Sequence, residues 1–383
     1  MASGMSRVVV VGAGAAGLSA ANRLALRARE RRVEVVLVDR TAEHVFQPGF
    51  VGVLFGDLEP DALRRPLASL VRPGIRLVTG EVARLDPAQA RVLGDFGELA
   101  FDRLVVAAGA QVGWDDAPPA SGDLAPWTLA GALAAREALR RLGPTSRVVV
   151  AAATPSYRCP PAVLDLAIRL RHHSGAQITV AHPWPAPLAP FGPAPSAALT
   201  RLLAEAGVAF RGAYAFTEVQ ADRLVDAAGV VVPFDVALLV PPHRPPTVVA
   251  ASPLASSDGW MRVDFPSLRH PVHRDVFGVG DAVAPTLKVG MAGTLGVFEG
   301  GFVADVIAAE LAVAPTPAAP RMHAICFLDT GTTGSFLYCD FAAPAAGTGP
   351  AACALMPELP FFRRAKRLFA DEWFTSMLTG EIA

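Results

Sequence analysis

The chain has 383 residues, of which 52% are hydrophobic, with 34 basic and 35 acidic side chains and a formal charge of −1. This length and apolar content predict two or three domains with large cores, and the balanced charge excludes a global positive field that would attract nucleic acid. Four cysteines, none in zinc-ligand spacing, exclude a disulfide scaffold and predict no metal site.

The chain begins with a β-α-β pattern, formed by an apolar strand at 7–11, an Ala-rich helix at 15–29 and a strand at 33–39. A G-x-G-x-x-G motif lies between the first strand and the helix. Such a turn lets the backbone approach a pyrophosphate at a helix N-terminus. The predicted contact residues are Gly12, Gly14, Ala15, Ala16 and Gly17.

Asp39 ends the second strand, where a carboxylate can accept hydrogen bonds from a ribose hydroxyl group, and Arg40 follows it. Both residues are therefore predicted to belong to a dinucleotide site. The alternative is a glycine turn that binds no ligand.

A second strand-turn-helix pattern appears at 147–153 and 160–172, with another strand at 177–181. Breaks rich in turn residues at 114–127 and 241–258 are the predicted crossings between domains. The fold class is therefore α/β, with two Rossmann-like dinucleotide-binding-type domains, the second inserted in the first. The predicted boundaries are 5–114 and 262–318 for the first domain, 115–261 for the second, and 319–383 for a small C-terminal segment.

The turn of the second domain has no glycine motif. It carries Pro155, Pro160 and Pro161, and proline offers no amide donor to a phosphate. A nicotinamide site is therefore not predicted there.

Two further segments, 101–110 and 276–283, resemble the later flavin motifs of the pyridine-nucleotide-disulfide reductase superfamily. The resemblance implies bound FAD, with Asp281 at the ribityl chain or its phosphate. The cofactor is expected to be non-covalent, since the flavin loop at 42–56 contains no cysteine. The resemblance adds these residues to the FAD site: Pro48, Val82, Ala108, Gly109, Gly280, Asp281, Gly296 and Val297.

The sequences YRCPPAVLDLA, around Cys159, and AICFLD, around Cys326, resemble the cysteine segments of two enzyme groups. These are sulfide:quinone oxidoreductases and the flavin subunit of flavocytochrome c sulfide dehydrogenase. The resemblance implies that Cys159 and Cys326 are a redox pair and that Asp165 is an acid/base. The alternatives are buried cysteines that only pack and a solvated helix carboxylate.

Several positions depart from the family pattern. A Pro-Lys pair that begins the flavin-facing helix in the family is replaced by Thr294 and Leu295. Lys288 is either a substitute for that lysine or a surface residue. The third cysteine of the quinone enzymes is missing, which puts the formation of polysulfide in doubt. Cys339 and Cys353 are predicted to pack without a partner.

The C-terminal stretch 361–378 has helical spacing of apolar residues and a cluster of cations: Arg363, Arg364, Lys366 and Arg367. Cations at a helix N-terminus oppose the helix dipole, so anionic lipid headgroups are expected to compensate. This predicts peripheral membrane contact and a quinone acceptor. The alternatives are a helix docked on its own protein or on the partner of a homodimer, and a cytochrome as acceptor.

The resulting prediction is an enzyme that oxidises sulfide, or another small sulfur donor, through FAD and a cysteine pair. The alternatives are an NAD(P)H-dependent flavin reductase or quinone oxidoreductase of the same fold, and a non-catalytic FAD-binding interaction protein. No leader segment is recognised, so the expected location is cytoplasmic or peripheral to a membrane, or periplasmic if a leader has been removed.

Overall fold

The computed structural model of the chain describes residues 5–28, 33–114, 124–312, 314–315 and 317–382. The end of the first predicted helix, at 29, and most of the first predicted crossing lie outside these residues. The first stretch contains β1 Ser6–Val11, α1 Ala15–Arg27, β2 Val33–Asp39, β3 Glu43–Val45, α2 Phe50–Phe55, β4 Arg64–Pro66, β5 Ile75–Thr79, β6 Val82–Asp86, β7 Arg91–Gly94, β8 Gly97–Ala100, β9 Arg103–Val106 and β10 Gln111–Val112.

The middle stretch contains a second β-α-β pattern. It contains α3 Leu129–Leu139, β11 Arg147–Ala152, α4 Ala162–Ser174, β12 Gln177–Ala181, α5 Pro193–Glu205, β13 Ala209–Arg211, β14 Phe216–Val219, β15 Arg223–Asp226, β16 Val231–Pro233, β17 Val236–Val240, β18 His243–Arg244 and α6 Thr247–Ala250.

The last stretch returns to the first sheet and then adds a C-terminal unit. It contains β19 Val276–Gly278, α7 Ala284–Leu287, α8 Gly293–Glu310, β20 His323–Asp329, β21 Gly334–Asp340, α9 Ala342–Ala346, β22 Ala352–Leu355, α10 Pro360–Glu372 and a π-helix, Trp373–Met377.

Two parallel sheets form the body of the molecule. The first has the order β19-β9-β1-β2-β5 and the second the order β17-β11-β12-β13, so β1 and β11 hold equivalent central places. Each sheet is accompanied by a three-stranded antiparallel sheet, β6-β7-β8 or β14-β15-β16. The predicted fold class is confirmed, and the exact domain boundaries stay a prediction.

The central strands are Val-rich because both faces of a parallel sheet are covered. Val8, Val9 and Val10 have no exposed surface. On one face, α1 packs closely on α8, where a Cβ atom added at Gly300 would lie 2.2 Å from the Ala16 carbonyl oxygen. This close packing brings the N-termini of α1 and α8 to the same edge of the sheet.

The C-terminal segment docks on the first domain. The Asn22 side-chain amide donates to the Leu378 carbonyl at 2.7 Å, and the Arg23 guanidinium donates to the Gly380 carbonyl at 3.0 Å. Within the described ranges, no helix is both long and apolar enough to cross a membrane.

Candidate active site

The turn after β1 is tight on one side and open on the other. The Gly12 amide donates to the Val38 carbonyl at 2.8 Å, and a Cβ atom added at Gly17 would lie 1.8 Å from the Gly12 carbonyl oxygen. A Cβ atom added at Gly14 would meet no atom within 4 Å. The turn therefore presents the first amides of α1 to open space, as phosphate binding requires.

Asp39 closes this turn from the end of β2. One carboxylate oxygen accepts from the Ala13 amide at 2.7 Å, and the other accepts from the Thr41 amide at 2.9 Å. Both oxygens have further lone pairs, so a role at a ribose stays a prediction. Arg40 is exposed.

Glu299 on α8, which the sequence analysis missed, holds the turn of the later flavin motif. Its Oε2 atom accepts from the Gly280 amide at 2.6 Å, and its Oε1 atom is buried with no partner among the described residues. Burial raises the pKa of Glu299 to about 8. The side chain is therefore mostly protonated at neutral pH.

A cavity of about 280 Å³ runs along the edge of the first sheet and under the C-terminal segment. Most residues expected to contact the cofactor, together with the candidate catalytic residues, line it: Gly14, Ala15, Ala16, Pro48, Gly109, Gly280, Asp281, Gly296, Cys159, Cys326 and Asp165. The other predicted residues do not line it: Gly12, Gly17, Asp39, Arg40, Val82, Ala108 and Val297.

The lining fits a flavin dinucleotide. Cβ atoms added at Gly14 and Gly109 would both project into space with no atom within 4 Å, which is the clearance a bound group needs. The N-terminus of α1 at Gly14 has no side-chain cap, so its amides are free to bind a pyrophosphate.

The cavity brings the two predicted redox cysteines together. Cys159 lies in the turn before α4 and Cys326 in β20, 167 residues apart in sequence, and their Sγ atoms are 3.8 Å apart as free thiols. The contact with Cys326, helped by Lys366, lowers the pKa of Cys159 despite burial. The same contact and burial raise the pKa of Cys326. Of the two thiols, Cys159 therefore loses its proton first.

Asp165 is not a solvated helix carboxylate, since it is 2% exposed. It accepts from the Asp329 amide at 3.2 Å and forms an ion pair with Lys366 of α10. Burial raises the pKa of Asp165, while Lys366 and Arg169 oppose this rise. Burial also opposes the charge of Lys366, but Asp165 outweighs it and raises the pKa of Lys366.

Three of the four cations of α10 pair with carboxylates of their own chain: Arg363 with Asp329, Lys366 with Asp165 and Arg367 with Asp57. These ion pairs compensate the unfavourable placement of the three cations near the helix N-terminus. The expected contact of the segment with lipid stays a prediction. Lys288 is exposed, and its role as a substitute for the family's lysine stays a prediction. Lys366 is the lysine whose charge acts on Cys159.

The expectation that Cys339 and Cys353 pack without partners is wrong. They form a disulfide between β21 and β22, where they are directly opposite each other in the antiparallel register. Directly opposed residues on neighbouring strands lie close enough for this bond. Predicting this disulfide would have required the register of β21 and β22. The Ala/Gly-rich sequence did not suggest that register.

An aromatic wall completes the cavity beside the C-terminal segment. The ring centroids of Phe46 and Trp373 are 5.4 Å apart, those of Phe369 and Trp373 are 5.9 Å apart, and those of Phe327 and Phe369 are 5.5 Å apart. All four residues line the cavity. Such a wall suits a flat apolar ligand.

The equivalent edge of the second sheet is filled by side chains. Tyr157 is 1% exposed and stacks on Trp184 with a ring-centroid distance of 6.1 Å, and His182 is 2% exposed. Trp127 contacts Tyr157 edge-on at 6.1 Å. These rings pack against one another at this edge.

Comparison with known proteins places these features in context. Residues 6–294 match the pyridine nucleotide-disulphide oxidoreductase family. The chain is 26% identical to the mitochondrial sulfide:quinone oxidoreductase of Mus musculus over 309 residues, which is 74% of this chain and 67% of that protein. It is 24% identical to the sulfide-quinone reductase of Aquifex aeolicus over 370 residues, which is 88% and 84% of the two chains.

The fold is also that of a solved structure. The sulfide:quinone oxidoreductase from the hyperthermophilic bacterium Aquifex aeolicus superposes with a TM-score of 0.86 and 21% identity, covering 99% of this chain and 92% of that one.

Proposed function

Because the chain belongs to the pyridine nucleotide-disulphide oxidoreductase family of flavin enzymes, we propose that it oxidises sulfide, or a related sulfur species, and passes the electrons to a quinone. The observation that carries the proposal is the approach of the Cys159 and Cys326 Sγ atoms to 3.8 Å inside the cavity. The cofactor is FAD, held without a covalent bond by the residues of the three glycine segments.

In the oxidised enzyme, Cys159 and Cys326 form a disulfide. An HS⁻ ion attacks the Cys326 Sγ atom, the bond between the two sulfurs breaks, and Cys159 leaves as a thiolate while Cys326 carries a persulfide. Cys159 is the leaving group because its pKa is the lower of the two. Lys366 stabilises the thiolate by its charge.

A second sulfur nucleophile, which enters with a proton on its sulfur, then takes the outer sulfur of the persulfide, loses that proton and leaves Cys326 as a thiolate. Asp165 lies in the same cavity and can hold the proton that this exchange releases, since burial favours its protonated form. A flavin held by the residues of the three glycine segments would accept the two electrons that are released when the Cys159 and Cys326 thiolates return to the disulfide.

The test is anaerobic mixing of the holoenzyme with sodium sulfide while the visible flavin absorbance is followed. We expect the absorbance to fall in the wild type and to stay unchanged in Cys159→Ser and Cys326→Ser. The matched control, Cys339→Ser with Cys353→Ser, removes the other two sulfurs and should still respond. An unresponsive wild type, or a response that survives in both single variants, refutes the proposal.

Quinone is preferred over a cytochrome as acceptor because the aromatic wall offers a flat apolar site that opens beside exposed apolar residues of α10. Phe361 is 66% exposed and Leu368 is 63% exposed. These residues support peripheral membrane contact through the first half of 361–378, while Trp373, Met377 and Leu378 are buried against the protein itself.

Membrane contact is tested by sedimentation with lipid vesicles. Phe361→Glu with Leu368→Glu should reduce the bound fraction several-fold, since each change removes apolar area from the contact. Val272→Glu, at a position that is also 66% exposed, is the control and should bind as the wild type does. Equal binding of all three proteins contradicts the contact.

An NADH-dependent reductase is the second candidate of the same fold. It is disfavoured because Tyr157, Trp184 and His182 fill the edge of the second sheet and Pro155, Pro160 and Pro161 replace the glycines of its turn.

A further inference from the structure

Cys159 has a left-handed backbone conformation, with φ 54°. A residue with a Cβ atom rarely adopts this conformation, and it persists only where the surroundings hold the backbone firmly. The conformation matters because it sets the direction in which the Sγ atom projects toward Cys326.

The backbone on both sides of Cys159 is held by hydrogen bonds. The Cys159 amide donates to the Met291 carbonyl at 2.9 Å, and the Ala162 amide donates to the Cys159 carbonyl at 2.9 Å. The carbonyls of the two neighbouring residues are each held by a side chain. The Trp127 indole N–H donates to the Arg158 carbonyl at 2.7 Å, and the Tyr157 hydroxyl donates to the Pro160 carbonyl at 3.3 Å.

His182 fixes the direction of the Tyr157 hydroxyl. Its Nδ1 atom accepts from the Trp184 amide at 3.0 Å, so the proton of the neutral ring lies on Nε2, which is 2.8 Å from the Tyr157 Oη atom. Burial lowers the pKa of His182 to about 4, which keeps the ring neutral. Nε2–H therefore donates to Tyr157, and the Tyr157 proton points to Pro160.

We propose that Trp127, Tyr157 and His182 are positioning residues, which hold the turn so that the Cys159 Sγ atom faces Cys326. Together they raise the effective concentration of the two thiols toward each other and so favour the disulfide state. The inference deepens the proposed function, since it assumes that this pair is the redox pair. It also gives a role to the aromatic residues that pack at the edge of the second sheet.

The experiment measures the dithiol–disulfide equilibrium of Cys159 and Cys326 in the full-length holoenzyme. The protein is equilibrated with glutathione redox buffers, alkylated and mapped by mass spectrometry, which separates this pair from Cys339 and Cys353. We expect Tyr157→Phe to shift the equilibrium toward the dithiol by about fivefold, the effect of one lost hydrogen bond. For a two-electron couple this is about 20 mV.

Tyr214→Phe is the matched control. Tyr214 is 2% exposed, lies in the same domain and donates to the Val230 carbonyl at 3.1 Å, away from the cysteines. It should leave the equilibrium unchanged. Trp127→Phe, which acts on the other carbonyl, should shift the equilibrium in the same direction and serves alone if Tyr157→Phe does not fold.

An unchanged equilibrium in both Tyr157→Phe and Trp127→Phe overturns the proposal, as does an equal shift in Tyr214→Phe. The measurement uses no sulfide. A wild-type flavin that fails to respond to sulfide would therefore refute the proposed function, whereas an unchanged thiol equilibrium would refute only the positioning role.

Discussion

The turns after the two equivalent central strands, 12–17 after β1 and 154–161 after β11, are built in opposite ways. The first has glycines and leaves the amides of α1 free at the cavity, whereas the second has prolines and ties its backbone to Met291, Trp127 and Tyr157. We propose that the same place in the fold holds a cofactor in one domain and presents a redox thiol in the other. Fold position alone does not decide which.

The first turn is the more sensitive of the two turns to substitution. Gly17→Ala places a Cβ atom 1.8 Å from the Gly12 carbonyl oxygen, and neither backbone can move far without opening the turn. We expect at least about a hundredfold weaker flavin retention, from an overpacking cost of about 3 kcal/mol. The flavin content of the purified protein, measured as fluorescence after heating has released the flavin, tests this expectation.

The control for this change is Gly143→Ala, where a Cβ atom would meet nothing within 4 Å and the φ angle is not in the left-handed region. Retention of flavin by Gly17→Ala at the wild-type level would show that the tight turn is not needed.

Lys366 forms an ion pair with Asp165, which lies in the first turn of α4, the helix that follows the second turn. The pair lies next to Cys159 and Cys326. Lys366→Met leaves a buried carboxylate without its cation and should lower the free energy of unfolding by about 3 kcal/mol. It should also slow the alkylation of Cys159, whose pKa Lys366 lowers. Denaturant unfolding and mass-spectrometric alkylation rates measure the two effects.

Adding Asp165→Asn to Lys366→Met removes the unpaired charge and should restore most of the lost stability. If the single variant is as stable as the wild type, the ion pair does not support the second turn.

The Cys339–Cys353 disulfide braces the sheet that carries Cys326 opposite the second turn. It closes a loop with a sequence separation of 14, so Cys339→Ala with Cys353→Ala should lower the free energy of unfolding by about 3 kcal/mol. Thermal unfolding measures this loss. Complete loss of the response to sulfide in this variant would give the disulfide a role beyond bracing.

Glu299, which accepts a hydrogen bond from the Gly280 amide, makes the stability of the protein depend on pH. Its pKa is raised from 4.5 to about 8, so the folded state binds its proton more tightly than the unfolded state. Wild-type stability should therefore fall relative to Glu299→Gln as pH rises from 4.5 to 8, by up to about 1.4 kcal/mol per pH unit. Unfolding of both proteins across this range tests the sign, and parallel curves would contradict the shift.

The sequence predicted the features that depend on local pattern. The glycine turn, the repeated strand-turn-helix and the proline-rich second turn are all short-range signals, and the fold class that follows from them is confirmed. The pairing of Cys159 with Cys326 was predicted from the family resemblance. Their spacing of 167 residues could not have predicted it.

The features that sequence analysis missed depend on contacts between distant residues. The sequence pattern predicts that Lys366 contacts lipid. In the structure, α10 places its ammonium group next to the carboxylate of Asp165, 201 residues earlier in the chain. The Cys339–Cys353 pair requires the register of β21 and β22, and Tyr157 meets His182 only because β11 and β12 are adjacent.

We propose that the second turn delivers electrons to the flavin through sulfur rather than from a bound dinucleotide. Mixing the anaerobic wild-type holoenzyme separately with sulfide and with NADH, while the rate at which the flavin absorbance falls is recorded, tests this proposal. We expect reduction by sulfide and none by NADH. Reduction by NADH that is faster than reduction by sulfide would contradict it.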